Sequence, residues 1–104
     1  MLRLRVAPQA AIQIQTAPRW WKVNRTKAPA AFFEDLSRTL AILRVQPELG
    51  TRVANPNLAG VRRVLLERVR YHLYYRVDET GGALEVLSLW HSSRDSKPIL
   101  GPPG

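Results

Sequence analysis

The sequence predicts an α+β fold: an N-terminal strand, then a two-helix hairpin packed on a small antiparallel sheet that a C-terminal three-stranded meander completes. Three observations carry this. Leu2, Leu4 and Val6 alternate with Arg3 and Arg5, which is the period of a strand. Apolar residues between Pro8 and Leu43 then recur every three or four positions, the period of an amphipathic helix. From Val61 onward the alternation returns in three runs, the last two separated by "ETGG".

The elements can be justified in order. In the first helix Pro8 suits the opening turn, and Ala10, Ile14, Ala17 and Trp21 form one face. Pro18 removes a backbone donor inside that pattern, so a kink or break is expected near Ala17. The second helix starts near Pro29, carries its stripe on Phe33, Leu36, Leu40 and Leu43, and stops at "QPELG", where Pro47 cannot continue it and Gly50 permits a turn. The expected strands are Val61–Glu67, Arg70–Asp78 and Ala83–His91, with the glycines of "ETGG" supplying the positive φ of a tight hairpin. In the middle strand Tyr71, Leu73, Tyr75 and Val77 should face the helices, leaving Arg70, His72, Tyr74 and Arg76 for solvent or a ligand. In the last strand Leu84, Val86, Ser88 and Trp90 should share a face opposite Leu87 and Leu89. Residues 1–95 are expected to form a single domain, and 96–104 a proline- and glycine-rich tail.

Composition narrows the function. The chain has 104 residues, no cysteine and a net charge of +8. Thiolate metal sites, disulfides and cysteine nucleophiles are therefore excluded. No apolar run approaches the roughly 20 residues of a membrane span, and the N-terminus lacks the apolar core of a signal peptide, so a cytoplasmic location with no membrane partner is expected. The charge calls for a polyanion or an acidic protein as partner. It is unevenly distributed, since no acidic residue precedes Glu34, whereas Arg62, Arg63, Arg68, Arg70 and Arg76 are offset within their span only by Glu67.

The two histidines, His72 and His91, have no carboxylate or second histidine at ligand spacing, so neither a metal nor a cofactor is expected. "ETGGA" is a turn with no helix after it and not a phosphate loop, and no hydrolase elbow surrounds Ser88, Ser92 or Ser93. Metal-free RNA cleavage would need a base, an acid and cations on the phosphate. His72 or His91 would titrate, Tyr74 would be a second proton carrier, and Arg76 and Arg94 would clamp the phosphate. The alternative for each histidine is an ordinary strand residue. Trp21 continues the core stripe, while Trp20 is placed to stack on a base or anchor a partner.

The segments "RWWKVNR", "FFEDLSRTLAILRVQPELG", "GVRRVLLERVRYHLYYRVDE" and "LEVLSLWHSSRD", in that order and spacing, resemble the RelE/ParE toxins of bacterial type II toxin–antitoxin pairs. The resemblance runs nearly the full length and implies the same strand, two-helix, three-strand fold. It also implies one of two activities. RelE-like members are ribosome-dependent endoribonucleases that cut messenger RNA with basic residues on the sheet and commonly a tyrosine or histidine near the C-terminus. ParE-like members inhibit DNA gyrase and lack that set. "LWHSSRD" is similar to the ParE-like ending, and no lysine stands between Val61 and His91 to match the RelE-type sites, so the gyrase inhibitor is favoured over an enzyme. On the ribonuclease alternative, Arg76, His91, Arg94 and His72 would be the catalytic residues; a third reading is a degenerate member that only binds its partner. On any of these the resemblance implies a cognate acidic antitoxin whose C-terminal segment wraps the toxin. The expected binding residues are Arg62, Arg63, Arg70, Tyr74, Arg76, His91, Arg94 and Trp20, with gyrase, or else the ribosome and its message, as target.

Overall fold

The computed structural model describes residues 1–24 and 30–92, with side chains described outside 17–24. The order is β1 (Arg3–Val6), α1 (Pro8–Asn24), α2 (Ala31–Val45), a 3-10 turn (Pro47–Leu49), β2 (Thr51–Arg52), β3 (Arg62–Leu66), β4 (Tyr71–Asp78) and β5 (Ala83–His91). The strands form one five-stranded sheet in the order β1-β5-β4-β3-β2. The meander is antiparallel as expected, but β1 joins β5 in parallel, so the sheet is mixed. β2 lies in the stretch after Gly50 that reads from sequence as a loop; it pairs with β3 over two residues only, too few to leave a pattern.

Pro8 opens α1, where its missing N–H costs nothing, and the Ala7 carbonyl accepts the first helical bond from Ala11 N–H. The break expected near Ala17 does not occur, and the helix runs on through Pro18 to Asn24. Proline's fixed φ is itself helical, so one missing bond is tolerated when the turns on both sides hold.

α2 presents Ala31, Phe32, Leu36 and Leu43 to the core, with Leu40 packed beside them. Phe33 is 50% exposed, so the stripe is set one residue earlier at its start than expected. Phe32 packs edge-on against Tyr71 of β4, at 5.4 Å between ring centroids, and the ring of Phe33 lies edge-on to Phe32 at 5.7 Å. Both assignments satisfy helical spacing with Leu36, and the sheet decides between them.

Tyr71, Leu73, Tyr75 and Val77 face the helices, as alternation predicts. Tyr75 is fully buried, and its hydroxyl donates to the Pro47 carbonyl at 2.7 Å and accepts from Gly50 N–H at 2.8 Å. Burial raises the phenol's pKa, which keeps it protonated as the donor this arrangement needs. Gly50 is required for space: its φ is −71°, open to any residue, but a β-carbon there would clash with the Tyr75 hydroxyl oxygen. The expected use of positive φ is met instead at Gly82, with φ +60° in the β4–β5 turn.

β5 departs from simple alternation. Tyr75 pairs with Val86 and Tyr74 with Ser88, which leaves Leu87 as an extra residue in a bulge. Beyond it the phase reverses, so Leu89 joins Leu84 and Val86 in the main core, while Trp90 packs on the other side. The faces assigned from sequence hold for Leu84, Val86 and Leu87 and are overturned for Leu89 and Trp90. β1 ends opposite Val86, and α1 covers the exposed edge beyond: the Gln13 amide oxygen accepts from Leu89 N–H at 2.7 Å and from the buried Ser88 hydroxyl at 3.1 Å. These bonds satisfy polar groups that would otherwise be stranded.

Tyr75→Phe removes the hydroxyl and orphans Gly50 N–H, and should lower stability by about 1–3 kcal/mol in urea melts. Gly50→Ala should cost more than Tyr75→Phe, whereas Gly50→Ala made in the Tyr75→Phe background should recover part of its own cost, because the clashing oxygen is gone.

Candidate binding face

Arg5, Arg76 and Glu85 project from the side of the sheet away from the helices. At its centre Tyr74 and Leu87 are buried with Val61 in a second small core, roofed by Val53 and Leu58 of the loop between β2 and β3. Tyr74, expected to meet a ligand, is therefore on the anticipated side but only 2% exposed. The loop is held by Asn55, whose side-chain oxygen accepts from the backbone N–H groups of Asn57 and Leu58. This roof divides the face into two ends of different character.

One end is neutralised. Glu85 on β5 takes a hydrogen-bonded ion pair from Arg76 at 2.9 Å and a second from Arg5 on β1 at 3.3 Å, and Arg5 also reaches Asp78 at 3.0 Å. The Gly81 N–H and then Arg5 hold the Asp78 carboxyl below the usual carboxylate range. Cross-strand pairing of Arg76 with Glu85, and of Arg5 with Glu85, places these groups side by side. Arg76 is thus engaged by a carboxylate.

The other end is basic. Here His72 pairs across the sheet with Leu65 on one side and Trp90 on the other, and Arg63 lies two pairs along on β3, opposite Tyr74. Arg70 precedes β4 in the tight β3–β4 turn with φ +62°, a left-handed conformation costly for a residue bearing a β-carbon. The turn is held there from three directions. Asp35 of α2, 1% exposed, accepts from Arg68 N–H at 2.8 Å and Val69 N–H at 3.2 Å; Arg70 N–H bonds the Leu66 carbonyl; Ser92 N–H bonds the Arg70 carbonyl. Arg38 closes the other oxygen of Asp35 at 2.6 Å. Burial first, then Arg63, Arg70 and His91, lower the His72 pKa and so favour its neutral form. Its Nδ1 is buried without a hydrogen-bond partner.

The two histidines do not converge. His91 pairs with Tyr71 and lies edge-on to its ring at 5.1 Å, on the helix side, whereas His72 points to the opposite side. Arg76 is four residues along β4 from His72, roughly 13 Å away. Arg62, expected to bind a partner, turns toward the helix side and donates to the Glu48 and Gly50 carbonyls. Arg94 and the tail lie outside the described residues, as does the Trp20 side chain. Among the described residues no cluster of three or more metal-ligating side chains forms, and no helix is long and apolar enough to cross a membrane. Sequence reasoning missed Asp35, Glu85 and Arg5. An acidic residue two positions after a phenylalanine pair on a helix reads as a solvated charge, and only the turn packed against it reveals its role.

Residues 4–96 match the family model described as the ParE toxin of the type II toxin–antitoxin system parDE. The chain belongs to the ParE toxin family. A solved structure titled "Chromosomal ParDE TA system from P. aeruginosa" superimposes with a TM-score of 0.68 at 20% identity, covering 88% of this chain and 96% of that one. The isolated E. coli RelE toxin superimposes with a TM-score of 0.62 at 18% identity, covering 91% and 88%. No curated protein matches. At these identities the two neighbours show that the ParE-family chain shares one fold with both toxin branches, and the resemblance read from the sequence segments holds at the level of family and fold.

Two outcomes test the basic end. Arg70→Asn should leave stability unchanged or raise it by up to about 1 kcal/mol, since asparagine tolerates the left-handed region, while deleting a charge. For His72, a lowered folded pKa means stability that is complete above pH ~6.5 and is lost as pH falls below it, because the unfolded chain takes up the proton first. His72→Phe should flatten that part of the pH profile in urea melts.

Proposed function

We propose that this ParE-family toxin acts on DNA gyrase as a binding inhibitor, through the basic end of its outer face formed by Arg63, Arg70 and His72, and that a cognate acidic antitoxin neutralises it. The single observation that carries the choice between targets is the separation of the histidines. A metal-free ribonuclease needs its acid, base and phosphate clamp around one scissile bond, within hydrogen-bond reach of it. His72 and His91 instead lie on opposite sides of the sheet, and Arg76 is bound to Glu85. Family membership supports the toxin role, and the fold by itself serves either activity. Arg63 and Arg70 beside His72 favour recognition of an anionic surface.

Induced in bacteria, the protein should depress DNA synthesis within minutes, before protein synthesis falls, in a parallel pulse-label of both. A prior fall in protein synthesis with cleaved messages would replace the gyrase reading by the ribonuclease one; no effect on either would leave a member that only binds its partner. Arg63→Glu combined with Arg70→Asn should abolish growth inhibition while thermal and urea melts stay close to those of the parent.

A further inference from the structure

A second arginine-lined surface lies on the helix side, at the end of the sheet beyond the last turn of α2. There a groove of about 1000 Å³ opens between α2, the N-terminus, the 3-10 turn and the ends of β2, β3 and β4. Its volume is at the upper end of what small-ligand pockets enclose and suits a segment of chain better than a single anion. Leu2, Val45, Pro47 and Val77 supply apolar lining, and Val45 is 65% exposed. Arg44, Arg52 and Arg62 supply the charge, against Glu48 and Glu79.

The arginines are arranged to receive a carboxylate and not to neutralise those two. Arg44 Nε donates to the Leu2 carbonyl at 2.7 Å, in return for the Leu2 N–H bond to the Arg44 carbonyl. Arg62 Nη1 donates to the Gly50 carbonyl at 2.8 Å and the Glu48 carbonyl at 3.2 Å. Neutral carbonyls fix both guanidiniums without cancelling their charge, and among the described residues none of the three arginines forms an ion pair. A planar guanidinium held at one nitrogen keeps its other N–H groups for a bidentate acceptor. On the outer face, by contrast, Arg5 and Arg76 are consumed by Asp78 and Glu85.

We infer that this groove is the seat of a segment from a second protein in which leucine-like side chains alternate with glutamate or aspartate, the apolar residues meeting Val45 and Val77 and the carboxylates meeting Arg44, Arg52 and Arg62. A second copy of this chain is a poor occupant, since two bodies of net charge +8 repel and the groove is itself net positive. The inference rests on the partner reading above and adds the place. Because the groove and the Arg63–His72 end lie on opposite sides of the sheet, the segment seated here leaves the outer face uncovered unless the partner chain continues around the edge.

The test uses the full chain and three short fluorescein-labelled peptides, alternating leucine–glutamate, leucine–lysine and serine–glutamate, titrated by fluorescence anisotropy. The leucine–glutamate peptide should bind, and the other two at least tenfold more weakly. Arg52→Glu, whose side chain is exposed, and Val45→Asp should each weaken the leucine–glutamate peptide tenfold or more, whereas Arg63→Glu on the opposite side should change it by less than about twofold. Melts of each variant exclude unfolding as the cause. Equal binding of the serine–glutamate peptide would reduce the groove to a diffuse positive field and overturn the inference, as would absence of binding or a loss with Arg63→Glu alone. These readouts need no toxicity, so a chain that binds the peptide yet spares DNA synthesis would overturn the gyrase reading and leave the groove standing.

Discussion

The carboxylate of Asp35, buried at the start of α2, is the point on which both layers of the molecule depend. It receives two backbone N–H groups from the β3–β4 turn and one guanidinium nitrogen from Arg38, so both its oxygens are satisfied. A charge this far from water is tolerable only when it is bonded in this way. The turn it grips cannot relax, because Arg70 sits in a left-handed conformation that a free chain would leave. Through Asp35 the helical layer dictates where Arg68 and Arg70 emerge, and so shapes the basic end of the outer face. Tyr75 does the corresponding work at the other end of the sheet, holding the 3-10 turn and Gly50 against β4.

A single extra residue in β5 determines what the two sides of the sheet display. Without the bulge at Leu87, strict alternation would send Leu89 outward and Trp90 toward the helices. With it, Leu89 completes the main core, Trp90 stands beside His72 on the outer side, and His91 rests against Tyr71 on the helix side. The same residue therefore completes the core and places the two histidines on opposite sides of the sheet.

The charge of +8 is likewise partitioned by the fold. Some of the sixteen basic residues are matched by carboxylates, in the Arg5, Arg76, Asp78 and Glu85 cluster and in the pairs of Asp35 with Arg38 and Glu34 with Arg68. Apart from the pair that closes the buried Asp35, such partly exposed pairs contribute little stability individually. Their larger effect is to concentrate the remaining positive potential at two separate places, around Arg63 and Arg70 and around Arg44, Arg52 and Arg62. The fold itself fixes neither surface, and each is free to vary on the same scaffold.

The family, the order of elements other than β2 and the helix-facing side of β4 were legible in the amino-acid sequence, because period-two and period-three-to-four patterns are local and the β4–β5 turn carries its own glycines. Chain-local information also located the end of α2 at Pro47. Tertiary structure alone decided that Phe32 and not Phe33 enters the core, that β1 lies parallel to β5, that Leu87 bulges, and that Arg76 is tied to Glu85. Each of these depends on partners tens of residues away in the chain. A periodic pattern is unchanged by sliding a helix stripe one residue or by inserting one residue into a strand pair, whereas the packed sheet admits only one of the alternatives.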